Sequence, residues 1–148
     1  MRIIGLGNLW LKDEGVGIHV VRELGKESLP PEVEVLEGGL AGIGLLGLFQ
    51  GAAKVVLVDA AEMGRPPGTV ERFTPGEIKI KTGRVSFSTH DMGLLETLEL
   101  ARGLGPLPEI VILGIQPGEI SWGAELTPAV QAAVQEACRA AWKEVQPP

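Results

Sequence analysis

A single cysteine, Cys138, and a complete lack of tyrosine stand out among the things this sequence does without. One thiol can neither close a disulfide nor build a cysteine-based zinc site within one chain, so neither device staples the fold. Long apolar runs are missing as well: none reaches the roughly 18–20 residues that span a bilayer. The opening run Met1-Arg2-Ile3-Ile4-Gly5-Leu6-Gly7 has no basic stretch leading into a long apolar segment and a small-residue cleavage site. No signal peptide is read there, and a cytoplasmic location is expected. Positive charge is in deficit too, with 13 Lys+Arg against 19 Asp+Glu and a net charge of -6. Such a surface repels phosphate backbones and anionic lipid, so neither nucleic acid nor membrane is expected as a partner. A Walker-type phosphate loop and a Gly-x-Ser-x-Gly nucleophile elbow are both absent.

What is present is enough for one domain over residues 1–148, with 45% hydrophobic and 22% charged residues. Short apolar runs alternate with helix-length segments. Strands are read at Ile3 to Leu6, Val33 to Leu36, Lys54 to Val58, Val85 to Ser88 and Ile110 to Ile115, with a shorter edge or hairpin element at Thr69 to Phe73. The run Val55-Val56-Leu57-Val58 has the unbroken apolar character of a strand covered on both faces. Helical spacing marks Glu14 to Leu24, Ile43 to Phe49 and Met92 to Leu104, and Thr127-Pro128 opens a last helix as N-cap and first residue. This alternation predicts an α/β fold: an open, twisted, mostly parallel sheet of about five strands with helices on both faces.

Ligands of such sheets bind in the crevice beyond the carboxyl ends of the strands. Gly5-Leu6-Gly7-Asn8, Asp59 and Thr89-His90-Asp91 are all placed there, and Asp13-Glu14 stands where the first helix begins. The glycine-rich loop is a poor dinucleotide site. Trp10 occupies the position of the third fingerprint glycine, and Asp13 and Glu14 put negative charge where a phosphate would sit. No nucleotide cofactor is expected. Taken singly, Glu14 reads equally well as a first-turn carboxylate on a helix dipole, Asp59 as a cap and His90 as a residue near the next helix start. Together, two carboxylates and one imidazole suit a borderline divalent ion such as nickel or zinc. An incomplete ligand set belongs to a site that meets a substrate rather than to a closed structural one. Glu14 and Asp59 are also candidates for water activation, as a carboxylate pair. Cys138 falls on the apolar face of the last helix, where an inert thiol is the default.

Several segments then resemble one family in the expected order. Gly5-Leu6-Gly7-Asn8 with Asp13-Glu14-Gly15-Val16-Gly17 is similar to the amino-terminal signature of hydrogenase maturation endopeptidases. Val58-Asp59-Ala60 with Pro67-Gly68-Thr69-Val70 resembles the central strand and hairpin, and Ser88-Thr89-His90-Asp91-Met92-Gly93-Leu94 the histidine segment. Ile115-Gln116-Pro117 and Leu126-Thr127-Pro128-Ala129-Val130 resemble the carboxy-terminal part.

The resemblance implies an endopeptidase that removes a short carboxy-terminal extension from the large-subunit precursor of a [NiFe] hydrogenase after nickel insertion. It implies Glu14, Asp59 and His90 as ligands of a nickel ion that the substrate presents, and an enzyme expected to work as a monomer. The alternative that stays open is a non-catalytic maturation chaperone that binds the metal or the precursor. One segment departs from the pattern: the family's Asp-Gly-Gly-Thr is replaced by Glu37-Gly38-Gly39-Leu40, which keeps a carboxylate with one more methylene and loses the hydroxyl. Glu37, Gly38 and Gly39 are the candidates for a groove that receives an extended peptide.

Overall fold

The apolar run Val55–Val58 lies at the middle of the sheet in a computed structural model of the chain, which describes residues 1–40, 42–80, 86–87 and 93–147. In chain order the elements are β1 (Arg2–Leu6), a 3-10 turn (Lys12–Gly15), α1 (Val16–Leu24), β2 (Glu34–Gly39), α2 (Ile43–Gly47) and β3 (Lys54–Glu62). Then follow β4 (Val70–Phe73), α3 (Pro75–Ile80), β5 (Ser86–Phe87), α4 (Leu94–Leu104), β6 (Glu109–Ile115) and α5 (Pro128–Val145). The main sheet runs β2-β1-β3-β6-β4. Its first four strands are parallel, and β4 closes one edge antiparallel to β6. The mostly parallel α/β sheet expected from the alternation is thus what forms, with five strands in line and a sixth, β5, appended to β3.

Period-two alternation along β3 divides the core. Val56, Val58 and Ala60 join Ile3, Leu113 and Ile115 under α1 and α5. Val55, Leu57 and Ala61 join Ile4, Leu6 and Ile112 on the other face, where Leu45 of α2 and Leu94 and Leu98 of α4 cover them. In α5 the residues Val130, Val134, Cys138 and Ala141 are all buried, and Trp142 packs against the same cluster. Each large aliphatic side chain so covered contributes roughly 1.5–3 kcal/mol relative to exposure.

Four expectations need correction. Strand β3 does not stop at Val58 but continues through Glu62, because β6 goes on pairing with it to Ala60↔Ile115 and β5 takes over at Ala61 and Glu62. Glu14 is not the first residue of the helix; it sits in the separate 3-10 turn, one residue before the α1 N-cap Gly15. The fourth apolar run is not a parallel strand of the main sheet. Among the described residues Ser86–Phe87 pairs antiparallel to the end of β3, and Phe87 meets Phe73 edge-on with ring centroids 6.2 Å apart. Val85 and Ser88 lie outside the described residues. The short helix α3 has no counterpart in the sequence reading.

Candidate active site

The sheet order has one topological switch point in its parallel part: β1 has β2 on one side and β3 on the other. Crevices for ligands open at such points, at the carboxyl ends of the strands. Pairing of β1 with β3 ends at Gly5↔Val58, so Asp59 is the first residue of β3 beyond it. Asp59 is fully buried, and its Oδ1 accepts a hydrogen bond from the Ala60 amide at 2.8 Å. By alternation it follows Val55 and Leu57 on the face covered by α4.

Glu14 reaches the same switch point from the 3-10 turn, which packs directly on β3. It is only 7% exposed, and it lines a cleft of about 210 Å³ together with Ala60, Glu62, Ser86, Phe87, Pro117 and Ile120. Two glycines make this approach possible. A Cβ on Gly17 would stand 2.2 Å from the Val58 carbonyl oxygen and 2.4 Å from that of Leu6, so only glycine lets α1 lie across the ends of β1 and β3. A Cβ on Gly7 would stand 2.0 Å from the Glu14 carbonyl oxygen, and Gly7 also adopts φ +134°. The Gly-x-Gly pairs flanking Asp13-Glu14 are therefore packing devices for the site and not a phosphate cradle.

Neighbouring Asp13 does quite different work. It is fully buried and ties the turn to the segment before α5. Its Oδ2 accepts from the amides of Gly118 (2.8 Å) and Glu119 (2.9 Å) and from the Thr127 hydroxyl (2.6 Å), and its Oδ1 from the Thr127 amide (2.8 Å). Burial pushes the Asp13 carboxyl up, but the hydrogen bonds from Thr127, Glu119 and Gly118 outweigh it and hold the group below its ordinary range. Thr127 is the N-cap of α5 and Pro128 stands in its first turn, as the sequence indicates, yet the Thr127 side chain makes no cap bond and goes to Asp13. A second clasp is Gln116, whose side-chain oxygen accepts from the Met63 amide at 2.7 Å and whose amide donates to Glu62 at 2.8 Å. This fixes the end of β3 against the loop after β6. The sequence reading singled out neither Asp13, Gln116 nor Glu62 as a site-building residue. Their partners are tens of residues away, and no local spacing announces them.

The remaining candidates are placed as follows. His90 lies outside the described residues, as do Thr89 and Asp91. Among the described residues, no three His, Cys, Asp or Glu side chains converge as a ligand set. Glu37 is exposed and accepts from Arg22 Nε at 3.1 Å and Nη2 at 2.8 Å. Glu37 and Gly39 line a second cleft of about 440 Å³ with Gly7, Asn8, Trp10, Ile18 and Leu40. Gly38 instead faces the core, where a Cβ would stand 2.6 Å from Ile4 Cγ2. Cys138 is buried, its Sγ is 3.7 Å from the Val20 carbonyl oxygen, and burial pushes its thiol up to about 11.

The family model for the HycI hydrogenase maturation proteases matches residues 18–144. The chain belongs to the hydrogenase maturation protease family. Glu14 precedes the matched span, whereas Asp59 and His90 fall within it. The hydrogenase expression/formation protein HupD of Bradyrhizobium diazoefficiens is 33% identical over 132 residues, covering 87% of this chain and 69% of that protein. The HupD of Thiocapsa roseopersicina is 35% identical, and the chain spans 60% of its length. The structure of the [NiFe] hydrogenase maturation protease HybD from Thermococcus kodakarensis superposes with a TM-score of 0.84 at 32% identity, over 98% of either chain. Membership of the protease family makes the chain a peptide hydrolase, as the sequence resemblance implied.

Proposed function

We propose that the chain is an endopeptidase that removes a carboxy-terminal extension from the nickel-loaded large-subunit precursor of a [NiFe] hydrogenase, and that it reads the nickel in its substrate through Glu14, Asp59 and His90. The observation that carries this reading is the position of Glu14 and Asp59. Both carboxylates are buried and come from different elements: Asp59 follows the last β1–β3 pair, and Glu14 lines the cleft that its neighbour Ala60 also borders. Two buried carboxylates favour a dication delivered by the substrate, whose charge strengthens every contact it makes with them in a dry site. A precursor without its metal gains nothing there. Binding would thus discriminate loaded from empty precursor and set the scissile bond beside the same groups. Water activation then falls to Glu14 or Asp59, or to water on the substrate's metal.

The test is cleavage of nickel-loaded and nickel-free precursor by the purified chain, followed by intact mass. Loss of the extension from the loaded form alone is expected, and Glu14→Gln, Asp59→Asn and His90→Ala should each abolish it. Equal cleavage of both forms overturns the metal-reading role. Binding of the loaded precursor with no change of mass overturns the hydrolytic one.

A further inference from the structure

We propose that the cleft between Trp10 and Leu40 docks an extended, uncharged apolar segment of the precursor polypeptide; this rests on the reading of the chain as a precursor-processing protease. The free chain exposes Trp10 by 66%, Leu40 by 48% and Trp122 by 83%. Their exposure does not come from a loose backbone. Asn8 Oδ1 accepts from the Trp10 amide at 2.9 Å, Gly123 donates to the Trp10 carbonyl at 2.9 Å, and the Lys12 amide donates to the Gly123 carbonyl at 2.9 Å. Lys12 is held at φ 47°, and its ammonium pairs with Glu119 at 3.0 Å. The backbone thus forms a fixed platform that presents two indoles to solvent. Aromatic side chains held rigidly at a rim are the usual anchors of a binding surface.

Three features choose the occupant. The cleft adjoins the turn that carries Glu14, because Gly7, one of its lining residues, packs on the Glu14 carbonyl and donates to the Gly39 carbonyl at 2.8 Å. Next to it lies β2, the end strand of the sheet, whose outer side is unpaired among the described residues. An extended segment can add there by main-chain hydrogen bonds while alternate side chains enter the cleft. Glu37, the one carboxylate among the described residues that line the cleft, is already paired with Arg22 at 2.8 Å. The walls therefore favour neutral apolar side chains over basic ones.

The experiment measures binding of a nickel-loaded large-subunit precursor to the full chain by calorimetry, alongside cleavage. Trp10→Ser and Leu40→Ser are expected to weaken Kd by about tenfold or more, to raise KM in parallel, and to leave kcat at saturation near wild type. The control Leu104→Ser removes an equally apolar side chain, 72% exposed, from the end of the sheet where β3 and β6 begin, and should leave Kd unchanged. Wild-type Kd and KM in both rim variants, with cleavage intact, overturn the docking surface alone. Tight binding by the wild type without cleavage overturns the proteolytic reading, and the Kd values of the variants still decide the docking surface. Self-association of the wild-type chain that Trp10→Ser abolishes would assign the rim to a second copy and overturn the proposal.

Discussion

Asp13→Asn is the substitution that most directly probes how the site is held. Asn keeps one acceptor oxygen where the carboxylate has two. In its better orientation that oxygen serves the Gly118 and Glu119 amides and the Thr127 hydroxyl, while the new NH2 group confronts the Thr127 amide. Leaving that buried N–H without an acceptor costs about 1–3 kcal/mol, and losing the charge from the other three bonds costs roughly another 0.5–1 kcal/mol apiece. The opposite orientation orphans three donors and is worse. The expected destabilisation is about 2.5–6 kcal/mol, which for a domain of this size lowers Tm by roughly 5–24 °C. Urea unfolding followed by far-UV circular dichroism, with the slope compared between variants, reads the value. A loss under about 1 kcal/mol would refute the claim that this carboxylate holds the segment 118–127 in place. Activity should fall further than stability at temperatures where the variant is still folded, because Pro117 and Ile120 of that segment line the Glu14 cleft.

Three more outcomes follow from the geometry. Gly17→Ala puts a methyl 2.2 Å from the Val58 carbonyl oxygen, a clash with backbone on two strands, and should cost about 3 kcal/mol or more in an unfolding titration. His19 Nε2 is buried with no hydrogen-bond partner, and burial together with Arg22 lowers its pKa below the ordinary 6.5. The unfolded chain then binds the proton first, so stability should fall as pH drops below about 6.5, and the difference should vanish in His19→Leu. Cys138, buried and with its thiol pushed up to about 11, should react with a disulfide reagent in the native state only as fast as the chain unfolds.

Much of this architecture was legible in the residues. Continuous apolar runs announced β3 and β6, and period 3.6 announced α1, α4 and α5, because burial on two faces or on one stripe leaves a pattern. The two-residue β5 leaves none, and its antiparallel pairing depends on where β3 happens to end. Helix α3 was missed because its six residues, opening on Pro75 and Gly76, are too few to show a helical period. Asp59 was expected beyond the end of its strand, whereas β3 runs on through it to Glu62. That Asp13 serves the fold while Glu14 lines the cleft was not readable, since two adjacent carboxylates differ only in which distant donors they meet. The Glu37-Gly38-Gly39-Leu40 segment divides in the same manner: Gly38 packs inward, and its neighbours Glu37 and Gly39 border the outer cleft.

The clasp at Asp13 also has a consequence for biosynthesis. It joins positions separated by 105 to 114 residues, so the turn that carries Glu14 gains its anchor only when the segment leading into α5 has been made. Such non-local closure forms late in folding, after the loop entropy has been met. A nascent chain that has finished β1, α1 and β3 therefore already contains Glu14 but not the anchor that fixes the turn carrying it. Competence to hydrolyse a peptide bond waits until the segment from Gly118 to Thr127 has been made and has folded back on the turn.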